Sequence, residues 1–242
     1  MAYLVGGRAV SLPVEVRSAK IAFANYMVSI DDAYRFVAAS GLQPCEVLPG
    51  RGLCAISIVD YVDGDLGRYC EVALAFIVRQ YGARPLSSAR ARLAELVRGD
   101  IAVYMHAVPV TEELARSAGV QIWGLPKSIA NISLTASRRR VIGAMDHDGE
   151  HVLTLTVRGP GRLRFPAATF DTYTYRDGVL RVFPASMDGR RAGLRLGGAA
   201  LEVGHRHPLA LDIRSLGLHE KRAIASGFIE HSTGSFDAPM IL

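Results

Sequence analysis

The sequence predicts an α+β fold that is mainly antiparallel β, with one large sheet or barrel and a few short helices at its periphery. Nine segments have the apolar alternation or the β-branched content that is typical of strands. Two pairs of these segments flank Asp148-Gly149 and Asp177-Gly178, and such dipeptides favour the tight turns that join antiparallel strands. The four predicted helices are short and do not alternate with the strands, which argues against a doubly wound parallel fold.

The helices are predicted from the signals at their ends. The first runs from Ser29 to Gly41, because Ser29 can cap it, Asp31 and Asp32 fall in its first turn, and Gly41 can end it. The same signals predict helices from Ser87 or Ser88 to Gly99, from Thr111 to Gly119, and from His207-Pro208 to Gly217. The predicted strands are Leu53–Val62, Tyr69–Gln80, Ile101–Val110, Ala130–Ser137, Val141–His147, His151–Arg158, Tyr173–Tyr175, Val179–Phe183 and Ala223–His231.

Composition narrows the class of protein. The 242 residues are 50% hydrophobic and 21% charged and contain no linker-like stretch, which predicts a single domain over residues 1–242. The formal net charge is +5, but the basic residues are scattered among acids, so we expect no nucleic-acid partner. The first residues lack a basic leader region, no apolar run is long enough to span a membrane, and the three cysteines resemble reduced core thiols. We therefore expect a cytoplasmic protein without a membrane partner.

Most common catalytic motifs are absent from the sequence, which contains no P-loop, no G-x-G-x-x-G after a strand, no G-x-S-x-G and no H-E-x-x-H. Two histidine pairs, His147 with His151 and His205 with His207, have no evident third ligand. A polar hairpin tip and an exposed helix start explain the two pairs better than metal binding does. We therefore expect neither a metal nor a cofactor.

The chemically informative residue is Lys127, one of only three lysines with Lys20 and Lys221. It follows the only tryptophan, Trp123, and precedes a strand of alternating apolar residues. Desolvation favours the neutral form of a lysine, and a neutral amine can add to a ketone to form an iminium that withdraws electrons from the neighbouring bond. The alternative is a structural lysine whose stem packs on Trp123 while its ammonium group stays in water.

Trp123-Gly124-Leu125-Pro126-Lys127, followed by a strand, resembles the motif that carries the Schiff-base lysine of acetoacetate decarboxylase and its superfamily. The resemblance extends over nearly the whole chain, with a glutamate, Glu71, near the start of a strand, a helix at Ser29 to Gly41, and a closing strand and tail at Ser226 to Pro239. It implies a curled antiparallel sheet that forms a cone-like barrel, a small oxo-acid substrate, and a homo-oligomer.

The resemblance also implies site residues. Lys127 would be the nucleophile and Glu71 an acid/base, although Glu71 could instead form a structural ion pair with an arginine. A basic residue ahead of the first helix would bind the substrate carboxylate, and Lys20 or Arg17 matches that position. The remaining expected substrate-binding residues are Gln121, Trp123, Leu125 and Ser128.

Two departures from the family pattern leave the reaction open. Ser128 stands where the decarboxylases have a second lysine. Ile56 stands where an acid is expected on the strand that precedes the Glu71 strand. The leading prediction is a lyase that decarboxylates a β-keto acid through a Schiff base. The alternatives are an aldolase-dehydratase that condenses a pyruvate-like donor with an aldehyde, and a non-catalytic barrel that binds a small ligand.

Overall fold

The computed structural model describes residues 2–82 and 101–242, and the helix predicted from Ser87 or Ser88 to Gly99 lies outside them. The helices are α1 (Ile30–Val37), which continues into a 3-10 turn at Ala38–Ser40, α2 (Glu113–Trp123) and α3 (Pro208–Ser215). The strands are β1 (Ala2–Val5), β2 (Arg8–Ser11), β3 (Val14–Ser29), β4 (Arg51–Gly64), β5 (Tyr69–Arg79), β6 (Ile101–Ala107), β7 (Asn131–Ala136), β8 (Arg140–His147), β9 (Glu150–Arg158), β10 (Leu163–Arg176), β11 (Val179–Leu196), β12 (Ala200–Val203), β13 (Ala225–Phe236) and β14 (Met240–Ile241).

Seven long strands form a closed ring in the order β10-β6-β5-β4-β3-β13-β11, because β11 pairs back with β10. The pairs are antiparallel except for the short parallel contact between β10 and β6. A separate antiparallel sheet, in the order β12-β9-β8-β7, packs beside the ring, and β1 and β2 form a hairpin. The predicted α+β fold with mainly antiparallel strands and few short helices is confirmed.

The two predicted hairpin turns are also confirmed. Asp148 and Asp177 have φ values of 50° and 53°, and the glycines that follow them both have φ of 78°. Positive φ at both central residues is the geometry of the turn that matches the twist of antiparallel strands. These turns join β8 to β9 and β10 to β11.

Several elements differ from the prediction. Val14–Ser29 is a 16-residue strand that periodicity did not reveal, because a bulge near Ser18 interrupts its alternation of apolar residues. Helix α2 continues past Gly119 and ends at Trp123, with Gly124 in the left-handed conformation as its true C-terminal cap. The predicted strands Tyr173–Tyr175 and Val179–Phe183 are only the hairpin ends of β10 and β11.

Two apolar clusters use opposite faces of the ring strands. Ile56 and Ile58 of β4 belong to the outer cluster, which is shared with the β7-β8-β9-β12 sheet. Val59 and Tyr61 of the same strand belong to the second cluster, which lies beside α2 and the β1-β2 hairpin.

Cys45 and Cys54 are buried and Cys70 is partly buried. No helix within residues 2–82 and 101–242 combines the length and the apolar character needed to cross a membrane.

Candidate active site

A cavity of about 210 Å³ lies inside the ring and receives side chains from all seven of its strands. Its wall is mostly apolar and aromatic. The hydroxyl-bearing residues in the wall, besides two tyrosines, are Ser57, Thr172, Ser186, Ser232 and Thr233, and the large apolar residues include Ile21, Val59, Leu66, Met105, Trp123, Leu125, Phe170, Phe183 and Phe236. A cavity of this kind suits a small and largely apolar molecule.

Lys127 reaches this cavity from the segment that follows α2. The amide of Leu125 donates to the carbonyl of Gly119 at 3.0 Å, which folds the chain back at the helix end. The carbonyls of Pro126 and Ser128 then accept from the amides of Val108 and Val110, as neighbouring strands do. In extended chain, successive side chains point to opposite sides. Lys127 therefore enters the cavity while Pro126 and Ser128 line a different cleft.

Gly119 allows the Lys127 stem to pass across α2. A Cβ atom at residue 119 would lie 2.5 Å from both Cδ and Cε of Lys127. Normal contacts between carbon atoms are about 3.5–4.0 Å, so an alanine could not coexist with the present path of the stem. Glycine in the interior of a helix is disfavoured on its own, and this close approach gives the physical reason for its presence.

Glu71 pairs directly with Lys127. The Lys127 Nζ atom lies 2.7 Å from Glu71 Oε2, and the two side chains are 4% and 8% exposed. Glu71 projects from β5, and the residue opposite it on β4 is Val59. Among the residues that the structure describes, Lys127 and Glu71 are the only charged side chains that line the cavity. Their pairing leaves this wall with no net charge.

Two stacked tyrosines complete the surroundings of the pair. The rings of Tyr61 and Tyr69 are 4.3 Å apart, and Lys127 Nζ lies 5.4 Å from the centroid of the Tyr69 ring. The Tyr61 hydroxyl donates to Glu71 Oε1 at 3.3 Å. Burial, followed by the nearby Glu71 carboxylate, raises the pKa of both phenols well above 10.0. Tyr61 therefore stays protonated and remains a donor to Glu71 at neutral pH.

The structure brings four of the predicted site residues together and separates the others. Lys127, Glu71, Trp123 and Leu125 line the cavity. Trp123 is 2% exposed, and its indole Nε1 donates to the carbonyl of Asp237 at 2.7 Å, which holds the ring against the cavity. The apolar residues that surround Lys127 in the sequence therefore indicate its burial correctly.

Neither predicted carboxylate-binding residue lines the cavity. Ala19 and Ile21 of β3 face it, so Lys20 between them projects from the opposite face of the strand. Arg17 lies at the surface, where its guanidinium donates to Asp63 and Asp65 at 2.6–3.0 Å. These carboxylates raise the pKa of Arg17 above its usual range. The geometry gives no support to a substrate role for either residue.

Gln121, Ser128 and Ile56 also lie away from the cavity. Gln121 is exposed on α2, and Ser128 is exposed in the separate cleft. Ile56 is buried in the outer apolar cluster, whereas Ser57, Val59 and Tyr61 are the β4 residues that face the cavity. The absence of an acid at Ile56 therefore does not alter the surroundings of Lys127.

Sequence reasoning missed Tyr61, Tyr69, Gly119 and Thr172 as residues of the site. Alternation along β4 could have indicated Tyr61, since residues at i and i+2 share a face and Ser57, Val59 and Tyr61 follow that spacing. Tyr69 could have been found in the same way, two residues before Glu71 on β5. No local signal indicates Gly119 or Thr172, because each is defined by a distant part of the chain.

The histidines meet in a combination that the sequence did not predict. The rings of His147 and His207 are 5.0 Å apart, and His106 pairs with Asp212 at 2.9 Å in the same cleft. His207 Nδ1 accepts from the amide of Leu209 and so caps α3. Burial, followed by the nearby His147, lowers the pKa of His207. Across the described ranges, no group of three potential ligands is arranged to hold a metal ion.

Comparison with models of protein families identifies the family of this chain. Residues 7–210 match the model of the acetoacetate decarboxylase family, and the chain therefore belongs to that family. The members of this family are lyases. A search of curated protein sequences finds no match.

Solved structures share the fold. An acetoacetate decarboxylase from Legionella pneumophila subsp. pneumophila str. Philadelphia 1 superposes with a TM-score of 0.66 at 15% identity, covering 97% of this chain and 90% of that chain. The enduracididine biosynthesis enzyme MppR, complexed with the condensation product of pyruvate and imidazole 4-carboxaldehyde, gives 0.59 at 15% identity and coverages of 96% and 90%. An acetoacetate decarboxylase-like enzyme from Sphingomonas wittichii RW1 gives 0.55 at 16% identity and coverages of 98% and 96%.

Proposed function

We propose that the protein is a lyase that decarboxylates a β-keto acid through a Schiff base on Lys127. The observation that carries this proposal is the buried contact of 2.7 Å between Lys127 and Glu71, inside a cavity that no other described residue lines with a charge. Membership of the acetoacetate decarboxylase family supports the same reaction class. A lysine used only for structure would not need an enclosed space beside its amine.

Glu71 is placed to activate the amine. Transfer of one proton from Lys127 Nζ to Glu71 Oε2 converts a buried ion pair into two neutral groups, which an apolar wall solvates better than charges. The contact is direct, so this transfer needs no intervening water. Tyr61 holds the other carboxylate oxygen and so fixes the orientation of Glu71. The amine is then free to attack a ketone carbon.

The remaining steps use the same two groups and one proton taken up from solvent. The amine adds to the ketone, and the carbinolamine oxygen leaves as water after it takes the proton held by Glu71. The electrons of the bond to the carboxylate move into the resulting iminium as carbon dioxide departs, leaving an enamine. A proton from solvent adds to the enamine carbon and regenerates an iminium, which water hydrolyses to the ketone product and the Lys127 ammonium, so the ion pair with Glu71 is restored.

The charge of the cavity favours decarboxylation over aldol chemistry. A pyruvate-like donor keeps its carboxylate throughout condensation and dehydration, so that carboxylate needs a cation other than the iminium. In the described part of the chain no second cation lines the cavity. A β-keto acid loses its carboxylate as neutral carbon dioxide, which an apolar wall favours. Aldol condensation with dehydration is the second candidate, since a protein of the same fold, MppR, binds a condensation product of pyruvate.

Borohydride trapping tests the proposal. Acetoacetate and borohydride should leave a reduced adduct on Lys127 in a peptide mass map, together with release of carbon dioxide in the absence of borohydride. Lys127→Arg should abolish both, because arginine is not deprotonated in proteins. Lys20→Arg is the matched control and should trap like the unmodified protein. An adduct spread over Lys20 and Lys221 would contradict the role of Lys127.

The same samples separate the other candidates. Pyruvate with an aldehyde should yield no unsaturated product, as followed by NMR. An unsaturated product without carbon dioxide release from acetoacetate would identify an aldolase-dehydratase. Ligand binding without any adduct on Lys127 would identify a non-catalytic binding protein.

A further inference from the structure

The side chains of the cavity wall limit which substituents a substrate can carry beside its reacting ketone. Aromatic and apolar side chains dominate it, with Met105, Phe170, Phe183 and Phe236 on four different strands of the ring. Lys127 becomes the iminium during the proposed reaction, and Glu71 is an acid. Among the described lining residues, no charged side chain remains to pair with a second charge on the substrate.

This composition separates two kinds of substrate. A second carboxylate on the substrate would lose its hydration without gaining a partner, which is strongly unfavourable in an apolar site. An apolar substituent instead gains from leaving water, and each buried methylene group tightens binding about fourfold. The cavity therefore disfavours a charged substituent. It binds an apolar substituent more tightly as the substituent lengthens, until the space is filled.

Thr172 supplies a polar feature within this wall. It lies on β10, is 2% exposed and lines the cavity, and its buried Oγ1 atom has no hydrogen-bond partner among the residues that the structure describes. Buried hydroxyl groups are nearly always hydrogen-bonded, because an unpaired one loses its interaction with water for no return. An oxygen atom of a bound ligand would satisfy this hydroxyl group.

We infer that the cavity selects a β-keto acid whose substituent beyond the ketone is uncharged and apolar, and that the Thr172 hydroxyl binds an oxygen atom of the ligand. The inference rests on the proposed Schiff base and adds the class of substrate. Acetoacetate, with only a methyl group beyond its ketone, is then the smallest member of the preferred series.

Ketones test the wall without requiring decarboxylation. The concentration of acetone, 2-butanone or 2-pentanone that gives half-maximal borohydride trapping on Lys127 should fall about fourfold with each added methylene. The sharpest comparison is 6-methyl-3-oxoheptanoate with 3-oxohexanedioate, two β-keto acids that have equal numbers of non-hydrogen atoms and end in an isopropyl group or in a second carboxylate. The isopropyl compound should trap at a much lower concentration.

The outcomes distinguish this inference from the proposed function. Trapping that is independent of chain length, or that favours 3-oxohexanedioate, would overturn the inference and leave the Schiff base intact. Failure of every ketone and of acetoacetate to modify Lys127 would overturn both.

Two variants at Thr172 test its hydroxyl group. Thr172→Val is nearly isosteric. It should raise the concentration of acetoacetate that gives half-maximal trapping about tenfold, the equivalent of one lost hydrogen bond. Thr172→Ser keeps the hydroxyl group and should retain most of the trapping. The thermal midpoint of the ligand-free Val variant should not fall, because none of the described residues is a hydrogen-bond partner of the lost hydroxyl group. Trapping by the Val variant at the same concentration as the unmodified protein would remove Thr172 from the inference.

Discussion

Replacing Gly119 by alanine should disable Lys127 without unfolding the protein. The new Cβ atom would lie 2.5 Å from both Cδ and Cε of Lys127, against about 3.5–4.0 Å for normal carbon contacts. The lysine stem must therefore move by about 1 Å or more, which breaks its present contact of 2.7 Å with Glu71. A misplacement of about 1 Å commonly costs about 100-fold in rate, so we expect the rate of borohydride trapping to fall by that order.

The folded state separates this local effect from general damage. Alanine is favoured over glycine in a helix interior by roughly 0.5–1 kcal/mol, which offsets only part of the cost of separating the buried pair. The thermal midpoint of Gly119→Ala should therefore fall, while the variant keeps the circular dichroism of the folded protein and loses trapping. Gln121→Ala, on the exposed face of the same helix, should change neither quantity. Gly119→Ala that forms the adduct at the normal rate would refute the reasoning.

Three further predictions concern Glu71 in the cavity and Ser128 and His207 in the separate cleft. Glu71→Gln keeps a polar side chain but cannot accept the proton of Lys127, so acetoacetate decarboxylation should fall about 100-fold to 10,000-fold while circular dichroism is unchanged; retained activity would exclude Glu71 as the base. Ser128→Lys should leave the pH profile of trapping unchanged, because Ser128 faces the separate cleft, and a displaced profile would show coupling to Lys127. Since the pKa of His207 is lowered from 6.5, its contribution to stability is present above that pH and is lost as pH falls through the folded-state value. His207→Asn retains a helix cap without titrating, so its urea midpoint should fall less between pH 7.5 and 5.5; an equal fall would assign the pH effect elsewhere.

The sequence by itself determined the features that depend on a few neighbouring residues. Asp148-Gly149 and Asp177-Gly178 predict their hairpins because glycine and aspartate tolerate positive φ at low cost. The apolar residues around Lys127 predict its burial, and the resemblance of its motif indicates the family. The resemblance also predicts Glu71 as a site residue, although no local pattern in the sequence indicates its contact with Lys127.

The tertiary structure decided which face of each strand meets the cavity and which distant residues meet there. A bulge near Ser18 turns Ala19 and Ile21 inward and Lys20 outward, and a shift of one residue would reverse that arrangement. The passage of Lys127 over Gly119 requires the turn after α2, and the position of Thr172 requires closure of the ring. Backbone conformation is encoded locally, whereas the pairing of strands far apart in sequence depends on the whole fold. Only the assembled ring shows that, among the described residues, Lys127 and Glu71 are the two charged side chains that line the cavity.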